Sequence, residues 1–353
     1  MHLVNPVRIF SPLRTSRPRS ARTASALALL CGSLSLGLAC KAASSPAAPV
    51  KDAPAPAPET PAARDAAPSG TKVAAAGAGR PLTIEEAHRL MPRADPSGLS
   101  AEQLGILFEV AGDTFDYAGC NSTLAACLRA DVKDKHAPRM AALASMLIRD
   151  GHAAGVVVDL LERYYASFAQ AKRVKLKSDD CGTLGPPVAP VAVVEFSDYQ
   201  CPHCATAVVP LHQMVEKAAP NVRLCSKYFP LAQHPRAAIA AGCAEYARSK
   251  GKFWLLSNLM FEHQEELDDA NLKAYAQQVG LNGAEMLKQA YAGKFDALIE
   301  AHKAEATGAG LRATPTFYFN GRTLTLPTRL DYLLFTVDDE LEWQRNSGAW
   351  EKE

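Results

Sequence analysis

From Pro81 to about Val174 the apolar positions recur at intervals of three and four, the period of helices packed on one another. Thr83 with Glu86, and Ser100 with Gln103, have the spacing of capping boxes, which satisfy the first free amides of a helix. Leu104, Leu107, Phe108 and Ala111 follow the second box as one stripe. A further helix is expected from Pro138 to Asp150, stopping at Gly151, and another carries Val157, Leu160, Leu161, Tyr164 and Phe168. From Val191 the pattern changes. "VAVVEFSDY" reads as a buried strand and "NVRLCSKYFPL" (Asn221 to Leu231) as a second, with helical periodicity from His234 to about Ala309. "TPTFYFNG" and "RTLTL" are two closing strands, and Thr328 to Arg345 a last long helix with Leu330, Leu333, Leu334, Val337 and Leu341 on one side. Strand, helix, strand, helical block, two strands and helix define an α/β fold with a helical insertion, preceded by a small all-α domain.

The N-terminal eighty residues have another character. Five arginines and no acid stand between Met1 and Arg22, and the apolar run Ala24 to Ala39 is shorter than the ~20 residues of a membrane span. A basic stretch, an apolar stretch and small residues before a cleavage point read as a secretory signal. Gly37-Leu38-Ala39 suits signal peptidase, and Cys40 behind it resembles the lipid-modified cysteine of bacterial lipoproteins, with Gly37 where leucine usually stands. The alternative is a soluble secreted chain in which Cys40 is a free or paired thiol. Lys41 to Arg80 is rich in alanine and proline without leucine or aromatics, so it cannot bury a core and reads as a tether. The expected organisation is a signal at 1–40, the tether at 41–80, a helical domain at 81–174 and a connector at 175–190. The α/β domain follows at 191–345, with its insertion at about 234–309 and a tail at 346–353.

Composition narrows the function classes. The formal net charge of +1 gives no electrostatic reason to expect nucleic acid as a partner. Nine cysteines, at 31, 40, 120, 127, 181, 201, 204, 225 and 243, suit an oxidising compartment. Cys201 and Cys204 form a Cys-Pro-His-Cys motif between the first strand and a helix. The chain has no second Cys-x-x-Cys to complete a four-ligand zinc site, so no metal and no cofactor are expected. A redox pair is the strongest reading. The helix N-terminus carries about half a positive charge and stabilises a thiolate on Cys201, Pro202 has no amide hydrogen to leave unpaired, and His203 adds charge or a hydrogen bond.

"EFSDYQCPHC" resembles the active site of DsbA-like members of the thioredoxin superfamily, and the resemblance covers about Pro187 to Leu341. It implies a thioredoxin-like fold and an envelope thiol–disulfide oxidoreductase. Its partners would be proteins bearing thiols or disulfides and a membrane or soluble redox partner that resets the pair. Glu195 matches the family's buried acid, a proton relay to the inner cysteine; the other reading is a strand-end glutamate facing water. Thr314-Pro315 in "ATPTFYFNG" matches the cis-proline loop that binds substrate, and "GKFWLLSNLMFEHQ" resembles the family's inserted helices. Threonine before that proline is familiar among DsbC- and DsbG-like isomerases, so oxidase, isomerase and reductase activities all stay open. Asp198 reads as a solvated loop acid or a helix cap.

The remaining cysteines leave several pairings open. Cys225 and Cys243 are a candidate disulfide, or two buried thiols. Cys120 and Cys127 can bridge only if Cys120 precedes the helix, because seven residues of helix rise ~10.5 Å. Cys181 is the leading candidate for an unpaired thiol, or bonds Cys120 or Cys127. "YAGCNSTLAACL … LIRDGHAAGVVVDLLERYYASF" resembles the three-helix domain of CcmH-type cytochrome c maturation proteins, with Tyr117 where that family has its first cysteine. That resemblance implies a docking or dimerisation module, and offers a client-holding assembly factor as a function of another class.

Overall fold

The computed structural model describes residues 81–114, 120, 122–130 and 136–348. The expected signal, Cys40, the tether and Tyr117 lie outside the described residues, as does the tail beyond residue 348.

Five helices open the described chain: α1 (Ile84–Leu90), α2 (Ala101–Asp113), α3 (Leu124–Arg129), α4 (Ala137–Arg149) and α5 (Ala154–Ala166). Both capping boxes form. Thr83 pairs reciprocally with Glu86 at the start of α1, and Ser100 with Gln103 at the start of α2. Leu107, Leu124, Met140, Leu143, Leu161 and Tyr164 are among the fully buried side chains of their common core. Cys120 precedes α3 and bonds Cys127 within it, the geometry that makes so short a bridge feasible.

The second half contains β1 (Gly182–Leu184), β2 (Val191–Ser197), α6 (Pro202–Lys217), β3 (Val222–Tyr228), α7 (Ala237–Ser249), α8 (Phe253–Glu262), α9 (Asp269–Gln278), α10 (Gly283–Tyr291), α11 (Asp296–Gly308), β4 (Thr316–Phe319), β5 (Arg322–Thr323) and α12 (Leu330–Arg345). The strands form one mixed sheet in the order β1-β3-β2-β4-β5, with only β2 and β3 parallel. Side chains alternate across it. Val191, Val193, Val222, Leu224, Phe317 and Phe319 pack against α6 and α12. Val194, Phe196, Cys225 and Tyr318 face the other way, toward Ala306 of α11. Helices α7 to α11 are the expected insertion, joining β3 to β4.

Two elements differ from expectation. The connector at 175–190 carries β1, an edge strand too short and polar to show a pattern. It is held by pairing with β3, by the indole of Trp254 donating to the Thr183 carbonyl (2.6 Å), and by Phe253 lying where a Cβ on Gly182 would be. The last strand follows a tight hairpin in which Asn320 (φ 48°) and Gly321 (φ 81°) are left-handed, and it is only Arg322–Thr323, since Leu324 and Leu326 beyond it pack with the core of α1–α5.

Helix α12 serves two cores. Leu333 and Val337 pack under the sheet, while Tyr332, Phe335 and Trp343 pack with α1–α5. A buried polar network lies along this helix. Arg139 donates to Asp339 at 2.5 Å, the Tyr164 hydroxyl donates to Asp339, and Arg173 and Arg322 both bind Glu340. Apolar surface of α1–α5 is thus covered by the α/β part of the same chain.

Candidate active site

The site is assembled from three places in the sequence. Strand β2 ends at Ser197, a three-residue turn follows, and α6 begins at Pro202 with Cys201 as its N-cap. Proline at the first helical position keeps φ preset and leaves no unpaired amide. Cys201 is 5% exposed and Cys204, one turn into the helix, is fully buried. Both are thiols here. The helix continues through Pro210 to Lys217. Pro202 and His203 are exposed.

The loop before β4 closes the site from 113 residues away: the Cys201 Sγ donates to the Thr314 carbonyl at 3.3 Å. The Thr314–Pro315 peptide is cis, Thr314 is buried, and its hydroxyl has no hydrogen-bond partner. Tyr199, Tyr228, Phe253 and Met260 are among the side chains that join both cysteines in the core of the insertion.

Glu195 is buried, 3% exposed. It lies on the face of β2 shared with Val191 and Val193, which is the α6 side. Burial pushes its carboxyl up from 4.5 to about 7, with Ser226 and Ser197 pulling the other way, and its Oε1 has no hydrogen-bond partner. The reading in which this glutamate faces water is therefore corrected. Burial also pushes the Cys204 thiol well above its ordinary range, and the neighbouring Glu195 and Cys201 add to this, while Ser197 and the Asp198 amide oppose it. A thiolate at Cys204 is thus held unfavourably, beside a carboxyl that titrates near neutrality. That pairing of groups can pass a proton.

Three expectations are corrected. Asp198 is not solvated: it is 2% exposed, and its carboxylate accepts from the Gln200 and Leu231 amides at 2.7 Å each, with His234 Nδ1 at 2.8 Å. Cys225 does not pair with Cys243. It bonds Cys181, which is therefore not the unpaired thiol and joins neither Cys120 nor Cys127. The reason is the face of the strand: Cys225 points away from α6, toward the side on which the residue before β1 lies. Cys243 is buried in α7, and burial pushes its thiol up to about 12. A cysteine so placed is an inert core side chain. Sequence reading also passed over Ser197, Ser226 and His234: Ser226 meets Glu195 from the neighbouring strand, His234 meets Asp198 from a distant loop, and Ser197, though on the same strand as Glu195, also meets Cys204 from α6, so none has a motif of its own.

A sheet whose central strand runs into a helix capped by Cys-Pro-His-Cys, with a cis-proline loop against the outer sulfur, defines a thioredoxin-like domain. Residues 178–339, somewhat under half of the chain, match the family model described as "Thioredoxin". Two curated relatives are Na(+)/H(+) antiporters. NhaA 1 of Salinispora arenicola is 34% identical over 140 residues, 39% of this chain and 21% of that protein. NhaA of Herminiimonas arsenicoxydans is 30% identical over 161 residues, 46% of this chain and 25% of that protein. The chain thus spans about a quarter or less of the length of these relatives. No helix among the described residues is long and apolar enough to cross a membrane. Among solved structures, oxidised BdbD of Bacillus subtilis is similar with a TM-score of 0.45 and 22% identity, over 48% of this chain and 97% of that one. A thioredoxin-like oxidoreductase from Silicibacter pomeroyi gives 0.42 and 26%, over 48% and 94%.

Proposed function

We propose that the chain is a protein thiol–disulfide oxidoreductase of the bacterial envelope, acting mainly as an oxidant of client thiols. The observation that carries this reading is the placement of Cys201 at the N-terminus of α6, with Cys204 buried behind it in the electrostatic field of Glu195. In the oxidised protein a client thiolate attacks Cys201 Sγ and the Cys201–Cys204 bond breaks. Cys204 leaves with the electron pair and is protonated, with Glu195 as the donor. A second client thiolate then attacks the client sulfur of the mixed disulfide, the client disulfide forms, and Cys201 leaves as the thiolate. Two electrons have moved to the pair, and a redox partner of disulfide or quinone class removes them. His203, exposed on the first turn, tunes the Cys201 thiolate. Thr314 and Pro315 hold the client backbone beside Cys201 as an added strand.

Export rests on the basic and apolar N-terminal sequence, and Cys40 offers a lipid anchor. The helical part is proposed as a docking or dimerisation surface. A second reading, isomerase or reductase, rests on threonine as the residue before Pro315, the residue type familiar there among DsbC- and DsbG-like isomerases, in a loop that contacts Cys201 Sγ. The test is trapping. In a Cys204→Ala chain Cys201 has no internal partner, so the mixed disulfide it forms by attacking a client disulfide cannot be released by Cys204, and covalent complexes with many envelope proteins that dithiothreitol releases should accumulate. A single non-covalent partner, retained when Cys201 is also removed, would instead mean an assembly factor.

A further inference from the structure

Asp198 touches both redox cysteines through its backbone. Its carbonyl accepts the Cys201 amide at 3.1 Å, and its amide donates to Cys204 Sγ at 3.5 Å. Its side chain is wholly buried and points elsewhere, into the loop between β3 and α7. That loop grips the turn twice: His234 Nδ1 and the Leu231 amide bind the Asp198 carboxylate, and the Arg236 amide donates to Gln200 Oε1 at 2.6 Å. The loop is itself fixed to the insertion. Arg236 donates to the Leu267 carbonyl at 2.8 Å and pairs with Asp269 at 2.5 Å. His234, a fifth exposed, also lines a cavity of about 410 Å³ with Pro230, Leu231, Pro235, Ile299 and Lys303.

We infer that His234 and Asp198 form a positioning clasp that sets the redox balance of the Cys201–Cys204 pair, an inference that rests on the redox reading above. A buried carboxylate that loses one of its donors pulls on the backbone that holds it, because the remaining acceptor capacity is left unsatisfied. Here that backbone carries the amide donated to Cys204. A thiol or thiolate sulfur accepts this hydrogen bond better than a disulfide sulfur. Loosening it disfavours the dithiol and moves the pair toward the disulfide. His234 acts through Asp198 and touches no reacting atom.

The test compares His234→Asn, whose amide nitrogen falls where Nδ1 was, with His234→Gln, whose amide lies one carbon further out. Both are polar, so a difference between them reads donor placement and not the loss of a ring. Equilibration with glutathione should shift His234→Gln about fivefold toward the disulfide, roughly 20 mV more reducing, and leave His234→Asn within about twofold of the parent. Equal values for both variants, whether shifted together or both unshifted, would overturn the clasp. Nitrogen chemical shifts of His234 in the unaltered protein give a readout independent of any variant. A proton on Nδ1 is expected. A ring protonated only on Nε2 would contradict the inference, since two acceptors would then face each other. A parent protein that forms no Cys201–Cys204 disulfide with glutathione would remove the redox reading first, and is distinguishable from a clasp that has no effect.

Discussion

At the residue scale the most consequential group is Glu195. Its carboxyl titrates near 7 in the fold against an ordinary 4.5, because burial disfavours the charge. Between those values the folded chain binds more protons than the unfolded one. The stability associated with this group is complete below pH 4.5 and is lost as pH rises to about 7. In the reduced protein, Glu195→Gln should therefore match the parent near pH 4.5 and exceed it by up to about 3 kcal/mol at pH 8, measured by urea unfolding. Equal stability at both pH values would place the carboxylate in solvent. If Glu195 donates the proton as proposed, the same substitution should slow the step in which Cys204 leaves. Glu195 was legible in the sequence because apolar neighbours on a strand imply burial. Asp198 was misread for the complementary reason. An acid in a turn is normally solvated, and the donors that justify its burial come from Leu231 and His234, more than thirty residues away.

At the element scale, the long periodic segments were legible and the short ones were not. Capping boxes announced α1 and α2, and the strand-to-helix junction at Cys201 was plain from "VVEFSDYQCPHC". The strand β1 was hidden because three residues carry no period, and its existence depends on a partner strand and the bond from Cys181 to Cys225. That bridge closes a separation of 44 residues, against 7 for Cys120–Cys127. Chain entropy then gives about 4 kcal/mol for the first and about 2 kcal/mol for the second. Replacing Cys181 and Cys225 together by alanine should lower urea stability by the larger amount and free β1, seen as faster amide exchange at Thr183 and Leu184. A larger loss from the Cys120/Cys127 pair would contradict this ordering.

At the scale of the molecule, α12 makes the helical and α/β parts mechanically one. Glu340 is fully buried and neutralises two guanidinium groups, Arg173 from the link between the parts and Arg322 from the hairpin. Glu340→Ala leaves both without it, a change that should cost about 3–5 kcal/mol. Arg173 lies 3.9 Å over Trp343, so indole fluorescence should report this unfolding together with far-UV circular dichroism in one transition. Two separated transitions in the parent would mean that the parts fold independently. The coupling was invisible in the sequence, where the two halves differ in period and are divided by prolines. It arises from side chains about 170 to 200 residues apart. The central claim, that Cys201 and Cys204 are an oxidising pair, is tested most directly by the equilibrium of the parent protein with reduced and oxidised glutathione. A potential between about −120 and −180 mV is expected of an oxidant or isomerase-like donor of disulfides. A value near −270 mV would make the chain a reductant and contradict the oxidant reading.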